Sequence, residues 1–267
     1  MFDSGVGGLT VADALRRALP NAPLHYFADS AFAPYGEKGA DFIRNRSLQI
    51  AGYLREQGAQ LLVIACNSAT AHAADAIRSE HPDWPVVGIE PGVKPAALAS
   101  RNGRVGVLAT TATVNSERFR QLIERHAQGA FVEAVGCSGV VAFIEAGELQ
   151  HPELRALVAR YCAPLRKAGV DTALLGCTHY PLIRSLWQAE LPGVQLLQIE
   201  AAVAKQAARL WPEPNWGAGG VVLASSANPE PLGRLARTAL GWEGFELRRI
   251  DLAPLVPGTG IEPVRPC

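Results

Sequence analysis

The sequence predicts an α/β protein of two similar domains, each a mostly parallel sheet flanked by helices. Three observations predict it. Apolar runs of strand length alternate with amphipathic segments of helix length along the whole chain. The order of parts in residues 1–91 recurs in about 104–200, the layout of a duplicated unit. Two apolar runs end abruptly in a thiol: LLVIACNSATA with Cys66, Asn67 and Ser68, and TALLGCTHYP with Cys177, Thr178 and His179. Each reads as a buried strand, a cysteine at its carboxyl end, and a turn into a helix. In open α/β sheets ligands collect at that edge, because strand ends and free helix amides point into one crevice. Matching thiols there suggest two half-sites facing one substrate.

The chain opens with an acidic, glycine-rich turn, FDSGVGG, before a helix with apolar positions Leu9, Val11, Leu15 and Leu19. Glycines at 5, 7 and 8 let backbone amides approach a carboxylate or phosphate, and a helix start favours such an anion. The dinucleotide fingerprint is absent, since its third glycine would fall at Thr10. A strand at 23–29 leads to a turn around Pro34, Tyr35 and Gly36, then a helix over 42–57. After the Cys66 strand, Ser68 is placed to cap a helix running to about Glu80. A short strand at 85–89 is followed by EPGVKPA, a Pro/Gly connector suited to a domain crossing.

The second half repeats the pattern. A strand at 104–109 leads into the hydroxyl-rich turn TTATVNS and a helix, much as the glycine turn led into the first helix. A strand at 131–135, a loop and short helix carrying Glu145, and a helix at 152–167 precede the Cys177 strand. A strand at 194–199 and a helix from Ala201 follow. The strand at 220–224, a helix, and the strand at 245–250 return most economically to the first domain. The expected division is therefore 1–91 plus 205–252 and 92–204, with the Pro/Gly-rich tail 253–267 unfolded.

Composition narrows the function. Of 267 residues, 48% are hydrophobic, enough for a substantial core, and the formal net charge of zero lacks the basic footprint of a nucleic-acid binder. No apolar run approaches the ~20 residues that span a bilayer, and residues 1–10 lack a signal-peptide pattern, so a cytoplasmic location is expected. The five cysteines, Cys66, Cys137, Cys162, Cys177 and Cys267, are odd in number and scattered, which argues for free thiols rather than a disulfide framework. Neither C-x-x-C nor paired His/Cys spacing occurs, so no metal site is expected.

A thiol at a helix amino terminus is drawn toward thiolate, a base or a nucleophile. Polar neighbours set Cys66 and Cys177 apart from Cys137, Cys162 and Cys267, which read as small core hydrophobes. One thiol beside His179 would suit acyl transfer. Two opposed thiols suit another reaction, in which one removes a proton from a carbon and the other donates to the opposite face, inverting the centre. His179 is placed to set the protonation of its thiol. Asp3 is a candidate to orient an amino group or tune Cys66, and otherwise a helix cap. Glu145 is balanced between assisting and lying solvated on a helix.

At FDSGVGGLTV, PYGEKG (34–39), ACNSATA, GIEPGVKPA (88–96) and LLGCTHYPLI the chain resembles the glutamate racemase family, within the cofactor-independent aspartate/glutamate racemase group. The resemblance runs to about residue 250. It implies two α/β domains related by a pseudo-twofold axis, with glutamate in the cleft between them and no cofactor. It implies that Cys66 acts on the D-enantiomer and Cys177 on the L-enantiomer, assisted by Asp3, His179 and Glu145. Substrate contacts would come from Asp3, Ser4, Tyr35, Gly36, Asn67, Ser68, Thr178 and His179. It further implies supply of D-glutamate for peptidoglycan, and an apolar helix face makes a homodimer unsurprising. Two departures stand out. Ser68 replaces the family's usual Thr, and only Met1 and Phe2 precede Asp3 where the family has a longer strand. The second predicts a natural start upstream or, failing that, a short first strand holding Asp3 loosely. Three rivals remain open: an aspartate racemase or related isomerase, a Cys–His hydrolase or acyltransferase on Cys177 and His179, and a non-catalytic amino-acid-binding module.

Overall fold

The computed structural model describes residues 1–127, 129–211 and 219–252. Strands and helices alternate: β1 (Phe2–Asp3), α1 (Leu9–Ala18), β2 (Leu24–Ala28), α2 (Ala40–Glu56), β3 (Leu62–Ile64), α3 (Asn67–Glu80), β4 (Val86–Gly88) and α4 (Val93–Ala99). The second half continues with β5 (Arg104–Ala109), α5 (Thr111–Val114), α6 (Glu117–His126), β6 (Phe131–Gly136), α7 (Val140–Ala146), α8 (Pro152–Ala168), β7 (Thr172–Gly176), α9 (Arg184–Glu190) and β8 (Gln195–Leu197). Last come α10 (Glu200–Leu210), β9 (Val221–Ser225), α11 (Glu230–Leu240) and β10 (Glu246–Arg249). The tail 253–267, expected to be unfolded, lies outside the described residues, as does Cys267.

Two sheets result, and every strand pairing in them is parallel. The larger runs β10-β9-β2-β1-β3-β4 and the smaller β6-β5-β7-β8. The first four strands thus lie in the order β2-β1-β3-β4 and the next four repeat it, the spatial counterpart of the duplication read in the sequence. Parallel strands require both faces covered. In the larger sheet the two-residue alternation sends Tyr26, Ala28, Val63 and Ala65 toward α1, α10 and α11, and Phe27, Leu62 and Ile64 toward α2 and α3. The smaller sheet is clamped between α7, α8 and α9 on one face and α4 and α6 on the other. Helix α10 places Val203, Ala204 and Ala207 in the larger sheet's core.

Several local expectations are corrected. Ser68 does not cap α3; the cap is Cys66, one of whose jobs is to accept the Ala69 amide, and Ser68 already lies in the first turn. The connector 90–96 contributes the start of α4, with Pro95 near its beginning, where a missing amide is harmless. The single helix expected after β5 is two, because the Ser116 hydroxyl caps a fresh start at α6. After Cys177 the chain makes a 3-10 turn, Tyr180–Ile183, before α9 begins. Pro181 has no amide to donate there. Among the described residues no helix is long and apolar enough to cross a membrane.

Candidate active site

Because both sheets are wound in the same order, the residues following β3 and β7 occupy matching places. Cys66 sits two residues beyond β3 and Cys177 directly beyond β7, and both sulfurs line one cavity between the sheets. The expected contact residues Ser4, Tyr35, Gly36, Asn67, Ser68 and Thr178 line it as well, as does His179. Asp3 and Glu145 stand behind this wall. The cavity measures about 10 Å³, room for roughly one water molecule and far too small for an amino acid.

Cys66 Sγ accepts the Ala69 amide at 3.4 Å and donates to Ser4 Oγ at 3.6 Å. The helix start alone would favour thiolate. Burial, and after it the negative charge of Asp3, reverses that and pushes the Cys66 thiol up to about 12. Cys177 has a different neighbour, with its Sγ 3.8 Å from His179 Nδ1. Burial alone would lower the imidazole's pKa. The hydrogen bonds to Cys177 and Glu145, together with the Glu145 charge, outweigh it and raise His179 well above its ordinary value. The two sulfurs thus sit in opposite electrostatic surroundings, one facing a carboxylate and the other an imidazolium.

Glu145, on α7, reaches across from the smaller lobe. Its Oε1 pairs with His179 Nε2 and also accepts the Val6 amide at 2.8 Å. The glycine turn was expected to cradle a ligand's anion. Here its Val6 amide receives a carboxylate from the protein itself, so Glu145 is a half-buried, bonded residue rather than a solvated one. The glycines serve close approach. A Cβ at Gly5 would fall 1.9 Å from Glu145 Oε1, and one at Gly7 2.5 Å from His179 Nδ1. Gly7→Ala should therefore push the imidazole off Cys177 and cut kcat/KM by about 10²-fold, a loss that steady-state kinetics on the folded variant would register.

Asp3 is fully buried. Its Oδ1 accepts the Gly5 amide at 2.8 Å and its Oδ2 accepts Thr178 Oγ1 at 2.9 Å. Those bonds hold it firmly although β1, of which it is the second residue, has only two residues, contrary to the loose Asp3 expected of a short first strand. Nor does it cap α1, whose cap position is Gly8. Burial raises the Asp3 pKa against the opposing pull of His179.

The remaining expected residues divide by what their polar atoms do. Asn67 is buried, and neither its Oδ1 nor its Nδ2 has a partner within the protein. An orphaned amide in a cavity wall is costly unless something else satisfies it. Ser68 is committed, since its Oγ lies 2.8 Å from Thr110 Oγ1 across the cleft. Tyr35 is committed too, donating to Asp29 Oδ2 at 2.5 Å. Gly36 is required by proximity, because a Cβ there would come within 2.5 Å of Thr110 Cβ.

Three lining residues escaped the sequence reading: Pro34, Thr110 and Val141. Thr110 was within reach, for it follows β5 as Ser4 follows β1 once the duplication is applied residue by residue. Nothing in the sequence marks Val141, which starts a short apolar helix. Cys137 and Cys162 lie in the core of the smaller lobe, as expected, and burial pushes the Cys162 thiol up to about 12. Among the described residues no group of three or more His, Cys, Asp or Glu side chains is gathered to hold a metal ion.

The family profile described as Asp/Glu/hydantoin racemase matches residues 9–207. The chain is 48% identical over 240 residues to a glutamate racemase of Pseudomonas entomophila, covering 88% of this chain and 91% of that one. Among solved structures, Escherichia coli glutamate racemase in complex with L-glutamate and the activator UDP-MurNAc-Ala superposes with a TM-score of 0.81 at 33% identity, over 95% of this chain and 97% of that one. Glutamate racemase of Francisella tularensis in complex with D-glutamate superposes with a TM-score of 0.82 at 28% identity, over 94% and 96%.

Proposed function

The chain belongs to the Asp/Glu/hydantoin racemase family, and from that premise we propose that it interconverts L- and D-glutamate by proton transfer between two cysteines and Cα. The observation that carries this reading is the pair of sulfurs opening on one cavity from equivalent strand ends, in opposite electrostatic surroundings. The relatives and solved neighbours at this similarity are glutamate racemases, which favours glutamate over aspartate.

The proton inventory gives a direction. In the free enzyme the shared proton rests on Cys66, where Asp3 and burial keep it. Cys177, with its Sγ 3.8 Å from His179 Nδ1, is the base in this direction. L-glutamate then gives its α-proton to Cys177, the C–H electron pair spreads onto the α-carboxylate, and the Cys66 thiol donates its proton to the other face. D-glutamate leaves, with Cys177 now a thiol and Cys66 a thiolate. The reverse turnover, or exchange with solvent, restores the start. Even at about 12 the Cys66 thiol is far more acidic than an amino-acid Cα–H, so this second transfer runs downhill.

Substrate must also be held. The unpartnered Asn67 amide offers both a donor and an acceptor to glutamate's charged ends, and Ser4 and Thr178 line the wall beside the two thiols. Since the cavity holds little more than a water, glutamate enters only when the lobes part. That breaks contacts crossing the cleft, Ser68 to Thr110 and Glu145 to the Val6 amide. Supply of D-glutamate for peptidoglycan is the role that this activity would serve.

The Cys177–His179 contact also suits a thiol hydrolase, and one experiment separates the two. L-glutamate incubated in D2O with no added cofactor should gain deuterium at Cα and turn into the D-enantiomer. A hydrolase or a simple binding module would leave Cα–H untouched, and aspartate in place of glutamate should react far more slowly.

A further inference from the structure

Arg46 takes no part in the proton transfer above, yet it is among the most deeply buried side chains of the molecule, 1% exposed. It projects from α2 among the core residues Ile43, Ile50 and Leu54. A guanidinium in such a place costs several kcal/mol of lost hydration unless it is fully paired. It is paired. Arg46 Nε and Nη2 donate to the two oxygens of Asp29 at 2.9 and 2.8 Å, Nη1 donates to Gln49 Oε1 at 2.7 Å, and the guanidinium lies over the Phe32 ring.

What the pair holds is next to the site. Asp29 directly follows β2, at the same sheet edge as Asp3, and its Oδ2 also accepts the Tyr35 hydroxyl. Tyr35 begins the 3-10 turn Tyr35–Glu37, and with Pro34 and Gly36 it forms one wall of the cavity. The opposite side of this turn meets the smaller lobe, where Glu37 Oε1 accepts the Gly139 amide at 2.8 Å and Gly36 abuts Thr110. The wall is therefore fixed from below by one buried chain of bonds, Arg46 to Asp29 to Tyr35. Arg46 and Asp29 themselves do not line the cavity.

We propose that Arg46 and Asp29 are positioning residues for substrate binding, setting through the Tyr35 hydroxyl the place of the wall against which glutamate packs. This rests on the racemase reading. The wall's one hydroxyl, on Tyr35, is bound to Asp29 and so takes no part in the proton transfer; the wall contributes binding felt alike by ground state and transition state. Loss of such binding raises KM and leaves kcat nearly unchanged. Both enantiomers should be affected alike, because the wall holds the part of glutamate that they share.

The test is steady-state kinetics in both directions, well below the melting temperature, on Arg46→Lys, Arg46→Met, Tyr35→Phe and the Tyr35→Phe/Arg46→Lys double variant. Lysine keeps the charge and loses the fork that grips both Asp29 oxygens. Arg46→Lys should raise KM about tenfold for L- and D-glutamate with kcat within about threefold, since a uniform binding loss falls on KM. Tyr35→Phe should do the same, and the double variant should be no worse than the poorer single, because both act on one linkage. Should Arg46→Met fail to fold, the lysine and phenylalanine variants carry the test alone. A folded Arg46→Lys with a lowered melting temperature and unchanged KM would overturn the proposal, as would KM effects that multiply in the double variant. Absence of glutamate racemisation in the unmodified protein would instead overturn the racemase reading, so the two failures are told apart.

Discussion

Cys66→Ala and Cys177→Ala should each lower kcat/KM for glutamate racemisation by at least about 10³-fold, the scale expected on removing an obligatory proton-transfer group. Among the described residues no neighbour is free to replace either sulfur: His179, which also lines the cavity, is engaged with Glu145 and Cys177, the Tyr35 hydroxyl is bound to Asp29, and Asp3 and Glu145 stand behind the wall, bonded to Gly5, Thr178 and Val6. Loss of fold does not explain the effect. Cys66→Ala removes one cap to the Ala69 amide, worth about 1 kcal/mol, and Cys177→Ala deletes one small buried atom. The variants also differ from each other in a way that only two opposed bases produce. With Cys177 still in place, Cys66→Ala should exchange the α-proton of L-glutamate for deuterium while forming little D-glutamate. Cys177→Ala should show the mirror-image behaviour with D-glutamate. Full racemisation by either variant would end the two-base mechanism. The unmodified enzyme should give a bell-shaped pH profile of kcat/KM, since one sulfur must carry a proton while the other does not.

His179→Gln should lose about 10²-fold or more in kcat, the usual scale for a positioned acid–base group, and about 3 kcal/mol of stability, the cost of leaving a buried pair's other member behind. Glu145 would keep the Val6 amide but face no cation, and Cys177 would lose the imidazolium beside it. The pH dependence of stability carries a second signature. His179 is raised in the folded protein, above the ~6.5 expected when unfolded, so the native state holds its proton longer. Its stabilisation is complete below that unfolded value and is lost as pH rises through the folded one. Cys66 acts in the same sense at higher pH: its contribution is full below the 9.0 of a free thiol and is lost as pH climbs toward about 12. Each group adds a slope of up to ~1.4 kcal/mol per pH unit within its window. Denaturant titrations at several pH values should show the lower-pH loss in the unmodified protein and not in His179→Gln. Identical profiles would show that the His179 pKa is the same folded and unfolded.

Much of this was legible in the chain itself. Apolar runs that stop at a cysteine marked β3 and β7, and the repeated order of parts gave the duplicated layout that the two sheets share. Errors fell where a local rule met a neighbour it could not see. Ser68 looks like a helix cap by residue type, but Cys66 takes that position and Ser68 turns to Thr110 on the other lobe. A thiol at a helix start reads as a thiolate, yet full burial beside Asp3 pushes the Cys66 thiol up to about 12. The Val6 amide of the glycine turn is taken by Glu145, a contact that no local pattern foretells.

The sequence by itself singled out Cys66 and Cys177, the sheet edge on which each sits, and the reaction proposed for the pair. Strand length, apolar alternation and abrupt polar ends are written within a few neighbouring residues, and they act over that range. The tertiary structure alone shows that Asp3 neighbours Cys66 while His179 neighbours Cys177, that Glu145 pairs with His179, and that a buried Arg46 is linked through Asp29 to Tyr35. Those outcomes depend on burial and on charges brought together from distant positions, Val6 and Glu145 being 139 residues apart. Electrostatic energy depends on separation in space and on exclusion of water, and the folded packing alone sets both.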